Sequence, residues 1–392
     1  MRVSEKIMKS LDQGNKVVGI FLDLRKAFDT VSHQILLNRL DNIGIRGLTN
    51  RLIKSYLSNR IQSTKIADQE SEKISVEFGV PQGTVLSPLL FLVYVNDLLK
   101  LLGEDIIFCF ADDTAIIING DSWEKVKEKA EAALQKIKNW LDKSLLSLNL
   151  EKTHFLTFSI CARTLPDFQE LKMHKTHCNF RACNCSKSIK RKSSLRYLGV
   201  IFDENVNWKE HVKYVTNKIR KVIYKFYELR NILSFKTLKI IYYALVESIL
   251  DYGIVVWGNC GSTTLSKLFI AQKWVLKIIM FKKRRYSTEL VFKESNVLNL
   301  EQLYVKSVVR FMLKFNYFRE SLTHGLNTRN VQLGNVELQN PRLTHCRNHI
   351  YCVGSKIFND LPASIKLQKY CNVKSDIKKW IVNTNYKIVY LV

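Results

Sequence analysis

The sequence predicts an α+β chain: an antiparallel sheet packed on helices in a ferredoxin-like order of elements, followed by a mainly helical region. Three observations predict it. Apolar, β-branched runs of strand length alternate with amphipathic helical patterns to about residue 160. A further strand-like run, LRYLGVIF, follows at 195–202, and beyond Trp208 the apolar spacing is mostly helical. At 392 residues the chain also exceeds the roughly 250–300 residues that a single core usually fills, so two or three domains are expected.

Taken in order, KVVGIFLDL at 16–24 is too continuously apolar for a strand with one wet face and reads as a buried central strand ending in Asp23. Ser32 then precedes apolar positions Ile35, Leu36, Leu40 and Ile43 before Gly44, the start and stop signals of a helix. A second helix is expected over Leu48–Leu57, then short strands near 61–67 and 74–78. In FGVPQGTVLSPLLFLVYVNDLLKLL, Ser87 and Pro88 suit the N-cap and first position of a buried helix. IIFCFADDTAIII at 106–118 reads as a hairpin with Asp112 and Asp113 at its bend. From Ser122 a long amphipathic helix runs through Leu141 to a strand at HFLTFS. Residues 161–194 break the periodicity and read as an irregular excursion. Helices are expected over 209–230, 236–250, 265–280 and 300–315.

Lysine and arginine number 61 against 35 acidic residues, a formal charge of +26, and a polyanion is the natural partner of such a surface. No run reaches the ~18 apolar residues of a membrane-spanning helix, and the first residues lack the pattern of a secretory signal. The protein is expected inside the cell, in the nucleus or cytoplasm, not secreted and without a membrane partner. Its nine irregularly placed cysteines are expected as reduced thiols.

Asp23 ends one strand, and Asp112–Asp113 sits at a hairpin bend 89 residues later (112 minus 23). A sheet that joins the two strands would gather these carboxylates, at the cost of mutual repulsion that divalent cations relieve. Carboxylate oxygens suit Mg²⁺. Two such ions about 3.5–4 Å apart serve in-line displacement at phosphorus. Adjacent aspartates at a bend are equally explained as turn formers, and Asp29 reads as a turn or cap residue.

Five segments in order, FLDLRKAFDTV, GVPQGTVLSPLLF, FADDTAI, LSLNLEKTHFLTF and LRYLGVIFD, resemble the successive palm motifs of reverse transcriptases from non-LTR retrotransposons, jockey-like elements above all. The resemblance covers about residues 5–205, with the helical remainder similar to a thumb. It implies a right-hand polymerase palm and RNA-directed DNA synthesis on an RNA template, from a DNA primer and deoxynucleoside triphosphates, with two Mg²⁺ ions or Mn²⁺ in their place. It further implies that Asp23, the Leu24 carbonyl, Asp112 and Asp113 hold the metal, and that Lys152 protonates the departing pyrophosphate. Phe28 would stack under the sugar and exclude a 2′-hydroxyl, Gln82 and Gly83 would lie beside the incoming nucleotide, and Tyr197, Leu198 and Gly199 would form the primer grip. Singly, each of these residues also has a plain reading as a core aromatic, a turn residue or a solvated charge.

The resemblance divides the chain into 1–160, palm with partial fingers; 161–205, a basic Cys/His-containing excursion and the primer-grip hairpin; 206–320, a helical thumb-like region; and 321–392, a C-terminal region without an assigned role. Lys213, Lys218, Arg220, Lys221, Lys225 and the run KKRR at 282–285 are the charges that would hold a template–primer duplex by its phosphates. In the excursion, His174, His177, Cys178, Cys183 and Cys185 are dense enough for zinc, held by His177, Cys178, Cys183 and Cys185, but the spacing fits no standard finger and a plain loop is the other reading. The family carries a basic fingers region ahead of the first aspartate, where 22 residues stand here, and an upstream endonuclease. A fragment of a polyprotein, or a truncated remnant, is therefore expected. A silent nucleic-acid-binding chain is the alternative to a polymerase; an RNA-dependent RNA polymerase is a third, against which Phe28 argues.

Overall fold

The computed structural model describes residues 1–103, 106–160, 165–173, 187–315, 335–366, 373–384 and 386. Helix α1 (Arg2–Asp12) comes first, and after Gly14 the β-branched run forms β1 (Lys16–Leu22), buried from Val17 onward. Next come α2 (His33–Asn42), α3 (Gly47–Leu57) and four short strands, β2 (Arg60–Gln62), β3 (Lys65–Ile66), β4 (Gln69–Glu70) and β5 (Ile74–Val76). They are followed by α4 (Leu86–Val95), β6 (Ile107–Phe110), β7 (Asp113–Gly120), α5 (Trp123–Lys143) and β8 (His154–Phe158). Last in this part of the chain are β9 (Glu170–Met173), β10 (Lys187–Arg191) and β11 (Ser194–Tyr197).

The chain divides into two units, Gly14–Leu198, and Met1–Gln13 together with Gly199–Val392. The first is a mixed α+β unit on a six-stranded sheet of order β6-β7-β1-β8-β10-β9. β1 runs antiparallel to β7 on one side and to β8 on the other, which is why its apolar run shows no polar alternation. Val18, Ile20 and Leu22 point into a core shared with Leu36, Leu40, Phe91, Tyr94, Val126, Leu134 and Ile137 of α2, α4 and α5. Gly19 faces the other way. A Cβ there would stand 2.8 Å from the Phe158 ring and 3.2 Å from Ile117, so the absent side chain is what lets those two pack.

Two local expectations are corrected. Part of the excursion expected to be irregular is regular: β9 and β10 extend the sheet, and Leu171, Met173 and Ile189 bury their side chains in its core. Because the chain returns through β10 antiparallel to β9, β10 lies parallel to β8, and the sheet is antiparallel except at that pair. α4 starts at Leu86, so Ser87 is inside the helix; its N–H is taken by Thr84 Oγ1 (3.3 Å), which does the capping expected of Ser87. Ser32 and Ser122 do cap α2 and α5, accepting from Ile35 and Lys125.

The second unit is mainly helical. It contains α1, β12 (Val200–Asp203), α6 (Lys209–Leu229), α7 (Phe235–Tyr242), α8 (Ser248–Asp251), α9 (Ile254–Trp257) and α10 (Ser262–Ile279). A π-helical turn, Tyr243–Glu247, joins α7 to α8 within the run expected as one helix. Beyond α10 come α11 (Thr288–Ser295), α12 (Leu300–Phe315), α13 (Thr344–Arg347), α14 (Ile350–Asn359), α15 (Ala363–Lys366) and α16 (Lys374–Thr384). The buried Asp203 carboxylate accepts from the N–H groups of Asn205, Asn207 and Trp208, which holds Trp208 at φ +63 as the entry to α6. α1 is fastened to its unit by Ser4 Oγ, 2.9 Å from His349 Nε2, and by Asp12 Oδ1, which accepts from Leu343 N–H at 2.8 Å. No described helix is long and apolar enough to cross a membrane.

One buried network ties three elements of the first unit together. Tyr94 Oη on α4 donates to the Ser144 carbonyl (2.5 Å) and accepts from Ser32 N–H (3.3 Å), while Arg39 on α2 lies over the Tyr94 and Trp140 rings at 4.6 and 5.0 Å. Arg39 Nη2 also donates to Ser144 Oγ at 2.7 Å. Tyr94→Phe keeps the ring but leaves a buried carbonyl and N–H unpaired, which costs about 1–3 kcal/mol. The expected outcome is a lower urea midpoint at unchanged slope; an unchanged midpoint would mean water replaces the hydroxyl.

Candidate active site

Asp23 follows directly on β1, and its backbone is clamped by the segment before β8. Its carbonyl accepts from Asn149 N–H (2.8 Å), its N–H donates to Thr153 Oγ1 (3.2 Å), and Arg25 N–H donates to the Ser147 carbonyl (2.9 Å). These bonds make Leu24 and Leu148 a bridge pair whose own carbonyls point away from each other, so the Leu24 carbonyl is turned to the side opposite Leu148. LSLNLEKT thus positions a carboxylate on a distant strand.

β6 and β7 form the hairpin expected, but its bend falls one residue earlier, at Ala111 and Asp112, and Asp113 pairs with Phe110 as the first residue of β7. Ala111 takes φ +53, a left-handed conformation unusual for alanine. In the β1–β7 register Leu22 pairs with Thr114, so the next step along each strand sets Asp23 against Asp113. All three aspartates are half-buried. Burial first, then the charges of Asp112 and Asp23, push the Asp113 carboxyl above its ordinary range. Among the described residues no group of three or more His, Cys, Asp and Glu side chains is drawn together tightly enough to hold a metal ion. The arrangement is an open acidic shelf. That suits Mg²⁺, which keeps several waters and takes one or two carboxylates along with substrate phosphates, better than an ion that needs a closed protein cage.

The GVPQG loop lies against the turn after Asp23. Val80 N–H donates to the Phe28 carbonyl and Gly79 N–H to the Val31 carbonyl, both at 2.8 Å, and His33 Nε2 donates to the Gly79 carbonyl at 2.7 Å. Gly79, at φ +91, is required: a Cβ would stand 2.9 Å from the Asp29 backbone. Phe28 is stacked on Phe91 with centroids 4.6 Å apart, so its ring is fixed from the core side. Gln82 Nε2 donates to Asp29 Oδ1 at 2.7 Å. Asp29, read from sequence as a turn or cap residue, is the anchor of a candidate binding side chain. Gly83, at φ +82, has nothing within 4 Å of a would-be Cβ, leaving its backbone open to approach. A cleft of about 950 Å³ opens beside Gln82, lined by Lys26, Asp29, Arg60, Phe78 and Pro81 among others.

Lys152 is exposed in the turn whose Thr153 anchors Asp23. Tyr197 is buried; its hydroxyl donates to the Phe108 carbonyl (3.3 Å), its ring packs on Phe21 (5.2 Å), and burial with the Asp113 charge drives its pKa up. Leu198 and Gly199 both take positive φ, +45 and +78, in the turn where the chain passes from the first unit to the second. The cluster of His174, His177, Cys178, Cys183 and Cys185 lies outside the described residues. Thr153 and Asp29 were not legible as site residues; the signal available was that each lies within a few residues of one.

A family model described as reverse transcriptase (RNA-dependent DNA polymerase) matches residues 3–202. Among curated proteins, the probable RNA-directed DNA polymerase from transposon X-element of Drosophila melanogaster is 25% identical over 285 residues, 71% of this chain and 30% of that protein. The RNA-directed DNA polymerase from mobile element jockey of the same species is 25% identical over 337 residues, 83% of this chain and 35% of that one. The chain thus spans about a third of the length of these relatives. Telomerase from Candida albicans, solved with a fragment of telomeric RNA, matches at a TM-score of 0.39 and 14% identity, covering 76% of this chain and 54% of that one.

A carboxyl whose folded pKa is raised opposes folding once the pH passes its unfolded value, and the opposition is complete above the raised value. Asp113→Asn is therefore expected to raise the urea midpoint at neutral pH. The gain should vanish below the ordinary carboxylate pKa of about 3.9. A gain equal at both pH values would show that the charge of Asp113, half-buried and beside two other carboxylates, is not its source.

Proposed function

Since this chain belongs to the reverse transcriptase (RNA-dependent DNA polymerase) family, we propose that it carries the palm of an RNA-directed DNA polymerase of a non-LTR retrotransposon, extending a DNA primer on an RNA template inside the cell. The observation that carries this reading is the β1–β7 register, which sets Asp23 against Asp113 with Asp112 at the adjoining bend. Asp23, the Leu24 carbonyl, Asp112 and Asp113 would hold two Mg²⁺ ions. When bound, such ions supply Lewis-acid stabilisation to the attacking 3′-oxygen and the leaving pyrophosphate.

The chain's own residues do the positioning. Gln82, steered by Asp29, and the open backbone at Gly83 would lie along the incoming nucleotide, with Lys26 and Arg60 of the adjoining cleft near enough in charge to favour its phosphates. Phe28 cannot swing into the core because Phe91 occupies it, so its ring would meet a 2′-hydroxyl and favour deoxynucleotides. Lys152 would donate a proton to pyrophosphate, and Tyr197, Leu198 and Gly199 would support the primer end. The helices of residues 206–320 would act as a thumb. A second reading, a nucleic-acid-binding chain without turnover, is favoured by one observation: the formal charge of +26 draws a polyanion whether or not the aspartates hold metal.

Primer extension on an RNA template with Mg²⁺ and deoxynucleotides separates the two. Extension by the parent and a loss on the order of 10³-fold in Asp112→Ala supports the polymerase; binding without extension in either chain supports the second reading. Asp29→Ala frees Gln82 without touching the metal carboxylates. It is expected to raise KM for deoxynucleotide about 2- to 10-fold, the worth of one hydrogen bond, with kcat little changed; a fall in kcat alone would place Asp29 elsewhere in the reaction.

A further inference from the structure

α10 ends at Ile279, and two residues on the chain turns at Phe281 with φ +54, a left-handed position that ordinarily goes to glycine or asparagine. Phe281 is nonetheless 60% exposed. The Arg230 guanidinium, at the end of α6, lies 4.9 Å from its ring centroid and 4.8 Å from that of Tyr227. Arg230 Nε is buried and has no hydrogen-bond partner among the described residues, so the rings contribute directly to holding this cation in place. The result is an aromatic ring in a strained backbone position, backed by a cation and open to solvent.

The residues that follow are Lys282, Lys283, Arg284 and Arg285. Their backbone is drawn inward: the buried Lys277 ammonium donates to the carbonyls of Arg284 (2.6 Å) and Tyr286 (2.7 Å). Lys282 is taken up locally, 3.0 Å from Glu294 and 4.3 Å from the Tyr286 ring centroid. Lys283, Arg284 and Arg285 are exposed, and among the described residues none of them forms an ion pair. A loop of fixed shape therefore presents three cations and one flat ring side by side.

We infer that Phe281 and the loop Lys283–Arg285 bind an unpaired stretch of nucleic acid, one base stacking on Phe281 while the three cations take the adjoining phosphates. Cations alone would serve a duplex equally well. The exposed ring discriminates, because a duplex keeps all its base faces but the two at its ends stacked inside, whereas a single strand offers a π-face at every nucleotide. This departs from the sequence expectation that KKRR grips duplex phosphates. It rests on the proposed function only for the class of ligand and requires no turnover.

The test uses the whole chain without divalent ion or nucleotide, so that its failure is separable from failure of catalysis. Binding is measured to an oligouridine of roughly 12 nucleotides, a usual site size, and to a blunt RNA duplex of equal charge. Phe281→Gly removes the ring and relieves the backbone, so folding is retained; it should weaken oligouridine binding about 10-fold or more and leave duplex binding unchanged. Phe281→Tyr should restore it. Replacing Lys283, Arg284 and Arg285 together by alanine should lower the slope of log K against log salt by about 2 on the single strand. Equal losses on both ligands, or no loss on oligouridine in Phe281→Gly, would overturn the inference. Competition by poly-glutamate as effective as by RNA would reassign the loop to acidic protein partners.

Discussion

The antiparallel pairing of β1 with β7 is the constraint on which the rest of the first unit depends. It puts the end of one strand beside the start of another, and only in the observed register does Asp23 stand level with Asp113, 90 positions further along the chain (113 minus 23). A slip of one residue would reverse the faces of Val18, Ile20 and Leu22, taking them out of the core they share with α2, α4 and α5. Core burial and carboxylate placement are therefore enforced by the same pairing. The apolar side chains make the register stable, and the register makes the acidic shelf.

Gathering carboxylates opposes folding, and the surroundings of Asp23 and Asp113 carry that opposition. Asn149 and Thr153 fix the backbone of Asp23 so that its carboxylate cannot retreat by unravelling the end of β1. The Tyr94, Arg39 and Ser144 network ties α2 and α4 to the end of α5, beneath the same sheet. That network is not fully satisfied: Arg39 Nη1 is buried without a hydrogen-bond partner among the described residues, and the two aromatic rings carry part of its charge instead. A repulsive cluster is tolerable where the scaffold beneath it is cross-linked by buried polar contacts. It is also where a cation or a substrate phosphate would find the largest gain.

The second unit solves a different problem, the presentation of positive charge on helices whose packing faces are apolar. Asp203 gathers three backbone N–H groups to start α6, and Lys277 gathers two carbonyls after α10. In both cases a buried charge orders backbone rather than pairing with an opposite charge. The exposed lysines and arginines are then carried on a shape set from inside, which is what separates a binding surface from a merely basic one.

The sequence by itself determined the local elements: the apolar run of β1, the hairpin that carries Asp112 and Asp113, the capped helix after Ser122, and the ordered motifs that identify the family. These follow from periodicity and capping, which act over a few residues. Only the tertiary structure decided that Thr153 anchors Asp23, that Asp29 holds Gln82, that β10 lies parallel to β8, and that α1 joins the unit beginning at Gly199 through Ser4 and His349, 345 residues apart. Short polar residues such as these carry no period. Their partners are chosen by chain closure, and a contact made by closure leaves no trace in the residues on either side of it.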